Sequence, residues 1–471
     1  MTHSQDSVAA LNRAFVHARA HIEGLGSAPV GATVGADELR ARLGGALPEH
    51  GSPPVEVVDA LVAATAGGHL GSAGGRFFAW VIGGSLSSAL AADWLTSTWD
   101  QNAALHACGP AAAVVEEVAG RWLIDLLGLP DEASFAFTTG CQLAHFTCLA
   151  AAREAVLRTA GWDVNRDGLF DAPRIRVIVS ELRHASVDRA LRFLGFGQKS
   201  LTVLPTAADG AVDRAAFHSA LGGGPGPTIV VLDAADLSVG AFDAFEELIP
   251  SAKRSGAWVH VDGAFGLIAR ASRSMRHLLT GVELADSWAT DAHKWLNVPF
   301  DSGFAAIRDR AAHRASMTVN ASYITPGESV RDQIDWNPEW SRRARGFAVY
   351  AALRELGRTG IEDLVDRSCL HARDLVSGIG GLPGAQVLWP PTLNQGLIRF
   401  LDPRPGASEE DHDRWTDGVI REINETGEAF FSGTAWRGRR AMRVSVINWR
   451  TTAGDVARAV EAARRVLRRA A

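Results

Sequence analysis

Short apolar runs that alternate with helical stretches constrain this chain more than any other feature. The run Ser134–Thr138 is followed by a helical pattern to about residue 158, and residues 174–180 by another from Ser186. Leu201–Leu204, Thr228–Asp233, Trp258–Asp262, residues 286–290 and Gly303–Ile307 continue the series. A strand that is apolar along its whole length has no face to give to water, so helices must cover it on both sides. The expected fold is α/β, with a mostly parallel sheet in a large domain and ligands at the carboxyl ends of its strands.

Amphipathic helices are expected over residues 8–25 and 53–67, joined by a Gly- and Ala-rich connection with little periodicity. We divide the chain into an N-terminal helical arm (1–75), a large domain (76–340) and a smaller α+β domain (341–471). Residues 322–338 lack periodicity and resemble a mobile lid, with helix resuming over 340–356. In the last domain strands are expected at 386–388, 395–400 and 442–446. The net charge of -6, without a long basic block, argues against nucleic acid or an anionic membrane as partner. No run approaches the roughly 20 apolar residues of a membrane span, and residues 1–24 lack a signal-peptide core. The 4 cysteines (Cys108, Cys141, Cys148, Cys369) show no C-x-x-C or C-x-x-H spacing. Neither a metal site nor a disulfide framework is therefore expected, and a cytoplasmic location is.

Two strand ends carry the chemistry. Trp258-Val259-His260-Val261-Asp262 closes on a carboxylate, and Ala289-Thr290-Asp291-Ala292-His293-Lys294 places an amine just past an apolar run. Alone, Lys294 reads as a snorkelling lysine and Asp262 as a helix cap. Together, in this order, they suit pyridoxal 5'-phosphate: the lysine forms the Schiff base and the aspartate holds the pyridine nitrogen protonated.

From about Arg76 to Trp449 the chain resembles the pyridoxal-phosphate decarboxylases that include the aromatic-L-amino-acid, histidine and glutamate enzymes. The most specific segment is Asp-Ala-His-Lys-Trp-Leu-Asn-Val-Pro-Phe-Asp at 291–301. The resemblance implies a fold-type-I architecture and a homodimer whose sites need both subunits. It assigns Lys294 and Asp262 the roles above, sets Ala264 under one ring face, and stacks His184 on the other. Residue 264 lies two beyond Asp262 and, if the strand continues, on its side of the pleat. The turn Thr138-Thr139-Gly140-Cys141-Gln142 would bind phosphate through the amides of the following helix, with His293 a further polar neighbour. Tyr323, one of 2 tyrosines, matches the lid tyrosine that protonates the substrate carbon. Asp236 falls in the segment that approaches the cofactor hydroxyl and the leaving carboxylate. Trp80 and Ile82 would line a side-chain pocket, with Asn102 and Ala104 supplied across the dimer, although core packing explains such aromatics equally well.

The chain departs from the family pattern at Cys141, Gln142, Asp236, Gly263 and Ala292. A carboxylate at 236 would repel a substrate carboxylate at close range. The expected activity is decarboxylation of an L-amino acid to its amine. An aldehyde-forming decarboxylase, a transaminase, a sulfur lyase and a non-catalytic relative are the alternatives. A nucleotide-binding protein on a similar sheet has no G-x-x-x-x-G-K-[ST] motif to support it.

Overall fold

In the computed structural model, which describes residues 3–224, 226–319 and 331–470, a seven-stranded sheet organises the larger of two units. Its strands are β1 (Ser134–Thr138), β2 (Arg176–Ser180), β3 (Leu201–Leu204), β4 (Thr228–Asp233), β5 (Trp258–Asp262), β6 (Ser287–Asp291) and β7 (Gly303–Ile307). The order is β1-β7-β6-β5-β4-β2-β3. β7 runs antiparallel to both β1 and β6, and the remaining pairings are parallel. Every residue of β1, β4, β5, β6 and β7 is buried, as their unbroken apolar runs require. β3 closes one edge and exposes Thr202 and Val203.

The helix Cys141–Thr159 runs against this sheet and is buried on most sides. Its Ala144, Ala151 and Ala152 are fully covered, and such small side chains let a helix backbone lie close to a sheet. Of the lid expected over residues 322–338, residues 322–330 lie outside the described residues, and residues 331–338 pack against β1. The Arg331 guanidinium lies 4.5 Å from both the Phe135 and Trp336 ring centres, and Asn337 donates to the Phe137 carbonyl at 2.5 Å. The helix expected from residue 340 begins at Gly346, and the stretch Gly346–Gly380 breaks at Gly357, where φ is 58°.

The larger unit takes residues 83–373 and 389–396, and the smaller takes 1–82, 374–388 and 397–471. The contacts thus group the N-terminal residues with the C-terminal ones, where the sequence suggested breaks near 75 and 340. In the smaller unit the helices His3–Gly24, Ala36–Leu43 and Pro54–Thr65 come first. The middle one falls in the connection that shows little periodicity. The second sheet has β8 (Ala385–Trp389), β9 (Gln395–Phe400), β10 (Ser432–Trp436) and β11 (Arg439–Ser445) in the order β10-β11-β9-β8. β10 is unexpected, since Ser-Gly-Thr-Ala-Trp has weak strand propensity. The tight turn at Arg437 and Gly438, both at positive φ, folds it back on β11.

Candidate active site

Three adjacent parallel strands end in carboxylates: Asp233 on β4, Asp262 on β5 and Asp291 on β6. Asp233 and Asp262 are partners in register, so the sheet itself gathers acidic groups at its carboxyl edge. Lys294, three residues past β6, turns its Nζ back to within 3.1 Å of Asp291 Oδ2. Burial pulls the Lys294 pKa down, but Asp291, with Cys141 and Asp262 beyond it, outweighs burial and raises it. The reverse balance acts on Asp262. Burial pushes it up, while His145 and the Lys294 ammonium together hold it below the usual carboxylate range. Asp233 goes the other way: burial, then the neighbouring Asp243 and Asp262, drive it far above that range. Asp233 therefore resists ionisation beside an ionised Asp262.

The loop that carries Lys294 is held by close backbone packing. A Cβ at Gly83 would stand 2.1 Å from the Lys294 carbonyl oxygen, and Gly84 N donates to Asn297 Oδ1 at 2.8 Å. A Cβ at Gly303 would stand 2.4 Å from the Gly140 carbonyl carbon, which brings the phosphate-type turn against the start of β7. Gly140 itself has φ 96° and gives the helix Cys141–Thr159 no side-chain cap. That helix end therefore has room and amide donors for an anion. His293 lies beside it. Its Nδ1 accepts from Ser302 N at 3.1 Å, its ring packs on Phe300, and burial lowers its pKa. Two buried polar atoms here, Asp291 Oδ1 and Ser302 Oγ, have no hydrogen-bond partner among the described residues. An uncapped helix end, a half-buried ammonium and an ionised Asp262 together fit pyridoxal phosphate.

Several departures from the family pattern have local reasons. Ala292, where proline is usual, donates its N–H to the Ser302 carbonyl at 2.9 Å, a bond proline cannot make. A Cβ at Gly263, where alanine is usual, would meet Leu267 Cβ at 2.6 Å. The Asp236 carboxylate accepts from the amides of Ser238, Val239 and Ala241 in its own turn, so it is engaged in shaping the loop after β4. Gln142 Oε1 accepts from Arg189 at 3.2 Å, which directs its side chain toward the neighbouring helix Ala185–Phe193. Cys141 is buried, and burial followed by Asp291 and Asp262 raises its thiol well above the usual range.

His184 caps that neighbouring helix through Nδ1, which accepts from Ser186 N at 3.2 Å. The residue is exposed, and partial burial lowers its pKa while Asp262 raises it and Lys294 lowers it. The capping and ring-stacking readings of this residue are therefore compatible. β5 ends at Asp262, so the side of Ala264 is set by a turn and not by the pleat. Within that turn Ala264 N donates to Asp262 Oδ1 at 3.1 Å. Asn102 Oδ1 accepts from the amides of Ala104 and Arg342, and Ala104 is buried. Trp80 and Ile82 belong to the smaller unit, where Trp80 stands 5.5 Å from the Phe430 ring centre. Tyr323 lies outside the described residues.

The sequence reading missed His145 and His260. His145 Nε2 is 3.4 Å from Asp262 Oδ2 and 3.4 Å from Cys141 Sγ. Its Nδ1 is 2.9 Å from His260 Nε2, and His260 Nδ1 is 3.0 Å from Ser287 Oγ. Spacing carried a faint signal, because His145 is one helical turn after Cys141 and His260 is two residues before Asp262 on the same strand face. Cys141, His145 and Asp262 offer ligand atoms within 4.8 Å of one another. The protonated thiol, the nearby ammonium and the helix N-terminus all oppose a cation there.

A family profile described as "Pyridoxal-dependent decarboxylase conserved domain" matches residues 68–387. The chain is 28% identical to the aromatic-L-amino-acid decarboxylase of Bacillus atrophaeus, over 93% of this chain and 90% of that one. It is 28% identical to the L-2,4-diaminobutyrate decarboxylase of Rhizobium meliloti, over 79% of this chain and 74% of that one. The crystal structure of Oryza sativa TDC with PLP and tryptamine superposes with a TM-score of 0.92 at 25% identity, covering 99% of each chain.

Proposed function

Because the chain belongs to the pyridoxal-dependent decarboxylase family, we propose that it removes the α-carboxyl group of an L-amino acid as CO2 and releases the amine. It is an amino-acid carboxy-lyase that depends on pyridoxal phosphate. The observation that carries our assignment of roles is the placing of a half-buried Lys294 ammonium and an ionised Asp262 at the ends of adjacent strands.

Lys294 would hold the cofactor covalently, Asp262 would face its ring nitrogen, and the first-turn amides at Cys141 and Gln142 would take its phosphate. His184 and Ala264 would flank the ring, with His293 nearby. When bound, the cofactor supplies a ring that accepts the electron pair left at Cα when CO2 departs. Asp291 Oδ2, 3.1 Å from Lys294 Nζ, holds the amine as its ammonium, and that proton must leave before the amine can act as a nucleophile. Asp262 must stay ionised throughout, and Asp233 beside it is disfavoured from ionising by burial and by Asp243 and Asp262. Asp236, tied to its own turn, leaves the substrate carboxylate unopposed. Tyr323 would return a proton to the substrate carbon.

A homodimer is part of the same proposal. The helices His3–Gly24 and Pro54–Thr65 leave Val8, Leu11, Val57 and Leu61 exposed, Leu61 by 57%, and a second copy of the chain would cover them.

The test is the absorbance spectrum of purified protein before and after borohydride, beside Lys294→Ala, followed by an amino-acid panel. The expected result is a visible band that borohydride abolishes and the variant lacks, with CO2 and amine in equal amounts from at least one amino acid. Aldehyde in place of amine would overturn the product, and an unchanged band in Lys294→Ala would overturn the lysine assignment.

A further inference from the structure

We propose that His145 is a positioning residue for Asp262: its Nε2–H donates to the carboxylate, and a buried chain of His260, Ser287 and Trp258 locks the tautomer that makes this possible. The inference rests on the reading of Asp262 as the partner of the cofactor's ring nitrogen.

The chain of bonds admits few proton arrangements. Trp258 Nε1 can only donate, and it reaches Ser287 Oγ at 3.0 Å. Ser287 is then free to donate its own proton to His260 Nδ1, 3.0 Å away. His260 is neutral, since burial and then His145 push its pKa down to about 3. A neutral imidazole with an accepting Nδ1 must carry its proton on Nε2, which therefore donates to His145 Nδ1 at 2.9 Å. His145 in turn carries its proton on Nε2, facing Asp262 Oδ2 at 3.4 Å. Every bond then runs in one direction, from the indole to the carboxylate.

If His145 instead holds a second proton, the two inner bonds reverse. His145 Nδ1 donates to His260, and His260 Nδ1 donates to Ser287. Nε2–H still faces Asp262. The remaining arrangement, a neutral His145 with its proton on Nδ1, would set a bare Nε2 lone pair against the ionised Asp262 carboxylate and is disfavoured by that repulsion. Cys141 Sγ, equally close to Nε2, is the weaker acceptor because burial keeps it a thiol. The distance of 3.4 Å is at the long end of hydrogen bonding, so the expected effect is moderate. Burial of His145, His260 and Ser287 is complete, which removes water as a substitute donor. The second oxygen of Asp262 accepts from Ala264 N, so the carboxylate is held from two sides.

The test compares the holoenzyme with His145→Met, His145→Gln and Asp262→Asn, reading the dissociation constant of pyridoxal phosphate by equilibrium dialysis. A charge-assisted hydrogen bond of this kind predicts a loss on the order of tenfold in cofactor affinity for His145→Met. His145→Gln, whose Nε2 can still donate to Asp262, should recover most of it. Equal affinity for the Met variant and wild type, or equal losses for Met and Gln, would overturn the proposal. If Asp262→Asn binds cofactor as wild type does, the reading of Asp262 fails instead, so the two failures are distinct. Should His145→Met not fold, the 15N spectrum of histidine-labelled holoenzyme decides, with His145→Gln assigning the resonance. A protonated Nε2 that shifts in Asp262→Asn supports the proposal, and an unprotonated one overturns it.

Discussion

At the scale of single residues the site is governed by a contest between burial and charge. Lys294 keeps its proton because Asp291 Oδ2 lies 3.1 Å away, although burial alone would release it. Asp291→Asn removes the largest influence raising the Lys294 pKa and leaves burial lowering it. The pH at which apo protein attaches pyridoxal phosphate should then move down. Attachment rates measured by absorbance from about pH 7 to pH 11 check this, and an unmoved profile would mean that Asp291 does not control the amine. Packing is equally local. A methyl group at Gly303 would collide with the Gly140 backbone at 2.4 Å, and neither backbone can move without shifting the phosphate-type turn. Gly303→Ala should therefore lower both cofactor affinity and thermal midpoint, as dialysis and a melting curve would show. Lys294, Asp262 and Gly140 were legible because their neighbours in sequence are unusual. His145 was not, since a histidine in the middle of a helix carries no mark of what lies opposite.

Elements translate those residues into a site. The helix Cys141–Thr159 does this through small side chains: Ala144, Ala151 and Ala152 bring its backbone close to the sheet and so bring His145 to Asp262. Ala151→Leu adds volume where none is available. It should cost about 1–3 kcal/mol of stability, read from urea denaturation, and displace His145 enough to weaken cofactor binding as well. A variant with wild-type stability would show that the helix has slack. The strands of the large sheet inside its β3 edge were legible because burial on both faces gives them largely apolar runs. β10 was hidden because its half-exposed sequence has no such run, and only its pairing with β11 makes it a strand. The helix Ala36–Leu43 was missed for a related reason: it is short, and none of its residues is buried.

Over the whole molecule, the buried imidazoles tie stability to pH. His260 and His313 are both pushed down to about 3 by burial, whereas an unfolded histidine titrates near 6.5. Between those values the unfolded chain binds protons that the folded chain refuses, so stability falls as pH drops from about 6.5 toward about 3. His313 is held by Ser134 and the Trp336 carbonyl, each at 2.8 Å. His313→Gln removes one such proton, and urea midpoints between pH 7 and pH 4 should fall less steeply than in wild type. An unchanged slope would place the acid sensitivity elsewhere. Assembly is tested at the same scale. Glutamate at Leu11 and Leu61 should convert a dimer to a monomer in sedimentation, and a wild-type monomer would overturn the dimer. Among the described residues no helix is long and apolar enough to cross a membrane. The sequence by itself determined the α/β class and the cofactor, because each is written in contiguous residues whose periodicity or chemistry admits few readings. Only the tertiary structure decided which groups face one another across strands and helices. The pairing of Asp262 with His145 and the raised pKa of Asp233 beside Asp262 depend on distances between residues remote in sequence. Charge states in a buried site follow those distances, and no periodicity encodes them.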